Sequence, residues 1–281
     1  MDIQLGTQRI LVLEDRESAD VLRQRAMDKR SQAFASGIGS LLSRPKAEEI
    51  ELVTSQRRLE AFWHVAGKAT YVYERRRSYS VPASAPEVRE VSVHGATYPI
   101  ADSGPTARTF SLDAIEHCRE DLSHELNVDA RAGTPVADAA TVLAGPRREV
   151  ADPAVLAADD TVVVPPEHRA SYVVRQLLGE MLKPVQADTI LEESLTLETT
   201  DLVYRPVWAY EFHWKPKDKR GVVEIDAVTG AIKAGGSLLP HLGKVITRDA
   251  LFDIGADTVG LLVPGGSIAV KVARAALDKG Y

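Results

Sequence analysis

Cysteine occurs once in the 281 residues, at Cys118, which excludes an internal disulfide framework and any cysteine-rich zinc site. Aromatic residues make up only 6% of the chain, and no apolar run approaches the ~20 residues that a membrane helix requires. The first twenty residues, MDIQLGTQRILVLEDRESAD, meet acidic side chains too early for a secretory apolar core. These absences make the cytoplasm the expected compartment. Also missing are G-x-S-x-G, C-x-x-C and a G-x-G-x-x-G after a strand, the patterns that announce hydrolase, redox or dinucleotide chemistry. No cofactor is expected, and a binding or assembly component is favoured over an enzyme.

What is present fits a folded protein. The hydrophobic fraction is 44% and the charged fraction 26%, and the length suits one large domain or two ordinary ones. The formal net charge of −6 argues against a surface given over wholly to nucleic acid, while leaving room for a local basic patch.

The most informative stretch is Leu202 to Gly230. Its even positions Leu202, Tyr204, Trp208, Tyr210, Phe212 and Trp214 are apolar or aromatic, while Arg205, Glu211 and His213 fall on odd positions. Side chains alternate across a strand, so one face becomes a wall of rings. Pro206 lacks a ladder donor and should bring a bulge or a fresh start at Val207. A charged turn ending at Gly221 leads to a second strand over 222–226, and Gly230 supplies the positive φ of a tight turn.

A similar pattern precedes it. Leu59–Trp63 matches Tyr204–Trp208, each following a proline-terminated helix (Pro45, Pro184) and each followed by basic residues. This reads as a diverged duplication, with helices over about 18–42 and from Pro165 to about Lys183. Strands are expected near 51–54, 59–65, 69–81 and 190–197, with a hairpin about His94-Gly95. Ser111 caps a helix to Asn127 with the stripe Ile115, Cys118, Leu122 and Leu126. Residues 130–160 read as an inter-module linker. Thr247 and Ser267 cap two further helices, over 248–263 and 268–279, broken by Pro264-Gly265-Gly266. The expected fold is therefore α+β, with two related helix-plus-antiparallel-sheet modules and a C-terminal helical hairpin. The implied units are 1–110, 111–160, 161–240 and 241–281.

Three constellations could carry chemistry. His117, Asp121 and His124 at i, i+4 and i+7 would share one helical face and could hold a metal. A solvated face explains the same residues, and no HExxH accompanies them. Arg75, Arg76, Arg77, Lys215, Lys217 and Arg220 flank the aromatic strands and could bind an anion or nucleic acid, although cations guarding turns and edges explain them as well. Gly265-Gly266-Ser267 with Lys271 could cradle an anion at a helix start, against the plainer reading of a helix break with a serine cap.

The segment Val222–Ile232 (VVEIDAVTGAI), following a helix and a long aromatic strand, resembles the end of a PepSY-type module. The resemblance spans about 167–232 and implies a small helix-plus-antiparallel-sheet unit, often duplicated, with binding or inhibitory roles. The leading expectation is a non-enzymatic protein that binds a protein partner or itself. Its contact stripe would be Leu251, Ile254, Val259, Leu262, Ile268 and Val272 on the hairpin. Anion or nucleic-acid binding through the basic hairpins and a metal-dependent enzyme at His117/Asp121/His124 are the alternatives.

Overall fold

The computed structural model describes residues 2–34, 45–83, 85–102, 108–157, 161–182, 184–239, 247–254 and 271–274. The chain begins with β1 (Asp2–Leu13) and α1 (Ala19–Lys29), capped by the Ser18 side chain. It continues with the 33-residue β2 (Ile50–Pro82), the short β3 (Glu90–Val93), β4 (Ala96–Pro99) and β5 (Ala101–Asp102), and the 22-residue β6 (Arg108–Asp129). Then come α2 (Ala139–Leu143), β7 (Arg147–Val150), β8 (Val162–Val163), α3 (Ala170–Met181) and the 26-residue β9 (Thr189–Trp214). The described chain closes with β10 (Lys219–Asp226), β11 (Ile232–Ala234), α4 (Arg248–Phe252) and β12 (Lys271–Arg274).

Ten of these strands form one mixed sheet, ordered β11-β10-β9-β2-β6-β5, with β1, β7, β8 and β12 attached beside it. The β9 strand is its spine. On one side it pairs with β2 from Thr189 to Trp214. On the other it takes β1 in parallel up to Tyr204, and then β10 antiparallel from Val207 onward. Pro206, which has no N–H to donate, sits where the partner changes. The strand passes through it in unbroken register with β2, so neither the expected bulge nor a fresh start occurs there.

From Leu202 onward the even side chains of β9 face the helices, as the alternation requires, while before the register shift at Gly67 the odd Leu195 and Leu197 do. Leu202 and Tyr204 pack with Trp63 under α3 and α4, while Tyr210, Phe212 and Trp214 pack under α1. The opposite face carries a smaller cluster of Leu11, Leu13, Phe62 and Val203 beneath α2. Gly67 lies at a register shift of β2 directly below α3, where an added Cβ would stand 3.1 Å from Leu177 Cδ2. The missing side chain lets that helix sit close.

The expected architecture of two helix-plus-sheet modules with a terminal hairpin is overturned. The Trp63 and Trp208 strands are adjacent members of one sheet, with Trp63 opposite Leu202 and Trp208 opposite Arg57. Their ring walls therefore lie side by side rather than facing each other. The three strands expected between 51 and 81 are one. Residues 130–157 are not a linker, since Ala130, Val142, Val150 and Leu156 are buried. Among the described residues the terminal hairpin is not found: α4 ends at Phe252, and Lys271–Arg274, placed on its second arm, form a strand parallel to β1. The apolar stripe points inward where it is described, with Leu251 and Ile254 in the main core. Val272 belongs to β12, while Val259, Leu262, Ile268 and Gly265-Gly266-Ser267 lie outside the described residues.

Other local readings hold. The β3–β4 hairpin turns at His94 (φ 49°) and Gly95 (φ 83°). Gly230 has φ 73°, and the Asp226 carboxylate accepts from the Val228 and Thr229 N–H groups to fix that turn. The buried face of α3 includes Val173, Val174, Leu177, Leu178 and Met181 as expected, although the helix starts at Ala170 rather than at Pro165.

Candidate functional site

The residues expected to form an amphipathic helix, 111–127, are strand. Odd positions from Ser111 to Asn127 are polar except Ile115, while Leu112, Cys118, Leu122 and Leu126 fall on even ones. Alternation puts the even set toward α3, where Cys118, Leu122 and Leu126 are partly covered by the core.

Backbone geometry follows from the same parity. The β2–β6 register runs from Phe62/Asp129 to Pro82/Thr109 without a shift. At the C-terminal end, Asp129 N–H donates to the Thr134 carbonyl (2.8 Å) and Val136 N–H to the Asn127 carbonyl (2.9 Å), both away from β2. Ala130 N–H donates to Ala61 of β2 (2.9 Å). Odd residues of β6 thus turn their N–H and C=O outward and even residues turn theirs to β2, because an antiparallel ladder alternates in this way. From Ser111 to Glu125 the outward groups have no strand partner among the described residues. At ~3.4 Å per residue the open edge is roughly 50 Å long.

An unpaired edge of this length is a template for another strand unless charge or a bulge blunts it. Charge is present: Arg119 holds Asp121 in a two-bond contact (2.8 and 3.0 Å), and Asp121 also accepts from Thr70 (2.8 Å). The bonds from Arg119 and then from Thr70 lower the Asp121 pKa. On the opposite face, further side-chain bonds tie β6 to β2. Glu116 accepts from both Tyr79 and Arg75, which lowers its pKa, and the Tyr73 hydroxyl donates to Glu120 (2.6 Å). That bond is the chief reason the Tyr73 pKa is pushed up to about 12. Beyond Glu74, β2 loses its β9 partner, and β2 and β6 run on as a two-stranded ribbon tipped by the β3–β4 hairpin. Tyr98 packs on Phe110 at 5.9 Å there.

The proposed metal ligands do not converge. On a strand, His117 and Asp121 share the outer face and His124 takes the other. His117 Nδ1 lies 3.0 Å from Glu74, and His124 contacts Glu180 of α3. Among the described residues there is no group of three or more side chains able to hold a metal ion.

Nor do the basic residues form one patch. Arg75–Arg77 lie on the ribbon, and Lys215 and Lys217 in the β9–β10 turn with Arg220 at the start of β10, beside opposite ends of β2. Arg75 is bound to Glu116, Lys215 to Glu51 and Arg220 to Glu211 (2.7 Å), while Lys217 lies over the Trp214 ring.

Sequence reading also missed a row of charge across the far face. Arg58 of β2 lies between Glu60 (2.6 Å) and Glu224 of β10 (2.8 Å). Arg205 of β9 binds Asp226 and Asp138 (2.7 Å). Burial raises the Glu60 pKa, with Arg58 opposing it. The folded state then holds this proton to higher pH than the unfolded chain, so Glu60 contributes less to stability as pH rises from its unfolded value through its folded one. Glu60→Gln is expected to gain stability relative to the parent between pH 4 and 7, measured by urea denaturation at both; an unchanged difference would contradict it.

On the helical face, a cleft of about 470 Å³ runs beside Asp15 and Arg57. Asp15 is taken up by Arg57 (2.7 Å) and the Trp208 indole (2.9 Å). No known protein family, curated protein or solved structure matches this chain. Among the described residues, no helix is long and apolar enough to cross a membrane.

Proposed function

We propose that the chain is a non-enzymatic binding protein that takes an extended strand of another polypeptide along the outer edge of β6. The observation that carries this reading is the row of outward backbone donors and acceptors from Ser111 to Glu125. Strand addition draws its affinity from main-chain hydrogen bonds and its specificity from alternate side chains, and both are on offer here. The PepSY-like resemblance of Val222–Ile232 implies binding or inhibitory roles, with which a strand-accepting role is compatible. The anion-binding alternative gains nothing from the separation of the two basic groups.

A photo-crosslinking residue at Ser123 tests the proposal in cells making the full chain. It is expected to form a polypeptide adduct that the same residue at Gln24, exposed on α1, does not form. Arg119→Pro deletes an outward N–H, leaves the β2 ladder intact and should abolish the adduct. An adduct that survives the proline, or no adduct at all, removes the reading.

A further inference from the structure

Resting on the strand-accepting role of β6, we infer that its occupant is β6 of a second copy, running antiparallel about a two-fold axis at Leu122. Two identical edges can meet antiparallel about any residue, and charge separates the choices. An axis at Glu116, Arg119, Glu120 or Asp121 sets a charged residue against itself. An axis at His117 opposes Asp113 with Asp121; one at Cys118 opposes Glu116 with Glu120; one at Ser123 opposes Asp121 with Glu125. Along the open edge from Ser111 to Glu125, Leu122 is the one centre that opposes no like charges and also sets an arginine against a carboxylate within the edge.

At that register the side chains complement one another. Arg119 faces Glu125 of the second copy twice over, and Glu120 faces its His124. Leu122 meets its own copy and Cys118 meets Leu126, all on the α3 side. These three apolar residues are only partly covered within one chain, so pairing buries what the core leaves exposed. The ladder stops where the single chain already stops it, at Asn127, whose carbonyl is taken by Val136. The odd residues from Arg119 to Glu125 of each copy form the bonded set.

Sedimentation of the full chain over a concentration series, with cysteine crosslinking, tests the inference. Leu122→Cys in a Cys118→Ser background places two thiols in a non-hydrogen-bonded pair about 4.5 Å apart at Cα, within disulfide reach. Mild oxidation should link it, while Glu120→Cys in the same background and the parent Cys118 stay unlinked. Arg119→Glu turns two attractive pairs into repulsive ones and should weaken dimerisation about tenfold. Adding Glu125→Arg should restore it, an outcome that loss of folding cannot mimic. A chain monomeric throughout, linking at 118 or 120 in preference to 122, or a charge swap without rescue overturns the inference. If the Ser123 adduct with a different polypeptide persists while the chain stays monomeric, this inference falls and the strand-accepting reading stands. Loss of both removes both.

Discussion

Replacing Trp63 with alanine is expected to destabilise the protein by about 3–5 kcal/mol, the range for truncating a large buried aromatic. The side chain is fully buried and joins β2 to α3 and α4, the two helices that cover this part of the sheet. Its ring meets Phe252 of α4 edge-on, with centroids 5.4 Å apart at 90°. Such a pair adds about 0.5–1.5 kcal/mol beyond area burial. Its Nε1 donates to the His168 carbonyl just before α3 (2.8 Å), so truncation strands that acceptor as well as opening a cavity. Trp63→Phe keeps much of the ring and loses the bond, and should fall between parent and alanine. Urea midpoints of the three proteins test this. A loss below about 1 kcal/mol for the alanine variant would mean that Trp63 is not the keystone of this core.

Proline placed at neighbouring positions of β6 should give opposite outcomes. Leu122 pairs with Ala69 and turns its N–H toward β2. Leu122→Pro removes that donor, leaves the Ala69 carbonyl unpaired and forces the ring against the ladder, a loss on the order of 3 kcal/mol. Ser123, one residue on, turns its N–H outward, and edge strands tolerate proline on that side. Ser123→Pro should stay within about 1 kcal/mol of the parent in the isolated chain while failing to accept a strand. Comparable losses at both positions would show that the outer side of β6 is already paired. A reversed order would place the register one residue away from that described.

Where apolar periodicity was regular, or a glycine marked a tight turn, local structure could be read directly. The β9 wall, the α3 buried stripe, the His94-Gly95 hairpin and the Gly230 turn are such cases. The region 111–127 was misread because Cys118, Leu122 and Leu126 are four residues apart. That spacing satisfies a helical stripe and also keeps a single face of a strand, since four is a multiple of two. The deciding signal was the polar character of nearly every odd position, which a helix would not need.

The similarity of the Trp63 and Trp208 stretches does not require a duplication. Neighbouring strands of one sheet, both buried on the helical face, carry the same alternation whether or not they share an origin. Strands of 33 and 26 residues also far exceed the usual 5–6, which led 51–81 to be divided into three. At the C-terminus, the apolar periodicity of Leu251 and Ile254 was correctly noticed and given the wrong destination. Burial against Trp63 depends on a contact far away in sequence that no local pattern announces. The candidate site lay in backbone geometry, which becomes visible only once strand order and register are known.

Amide hydrogen exchange along β6, resolved residue by residue in dilute and concentrated solution, tests the open-edge account most directly. In the dilute monomer, odd residues from Ser111 to Glu125 should exchange fast and even residues slowly. On assembly, Arg119, Asp121, Ser123 and Glu125 should become protected while the even residues change little. Uniformly slow exchange in the monomer, or odd amides that stay fast once a complex has formed, would contradict it.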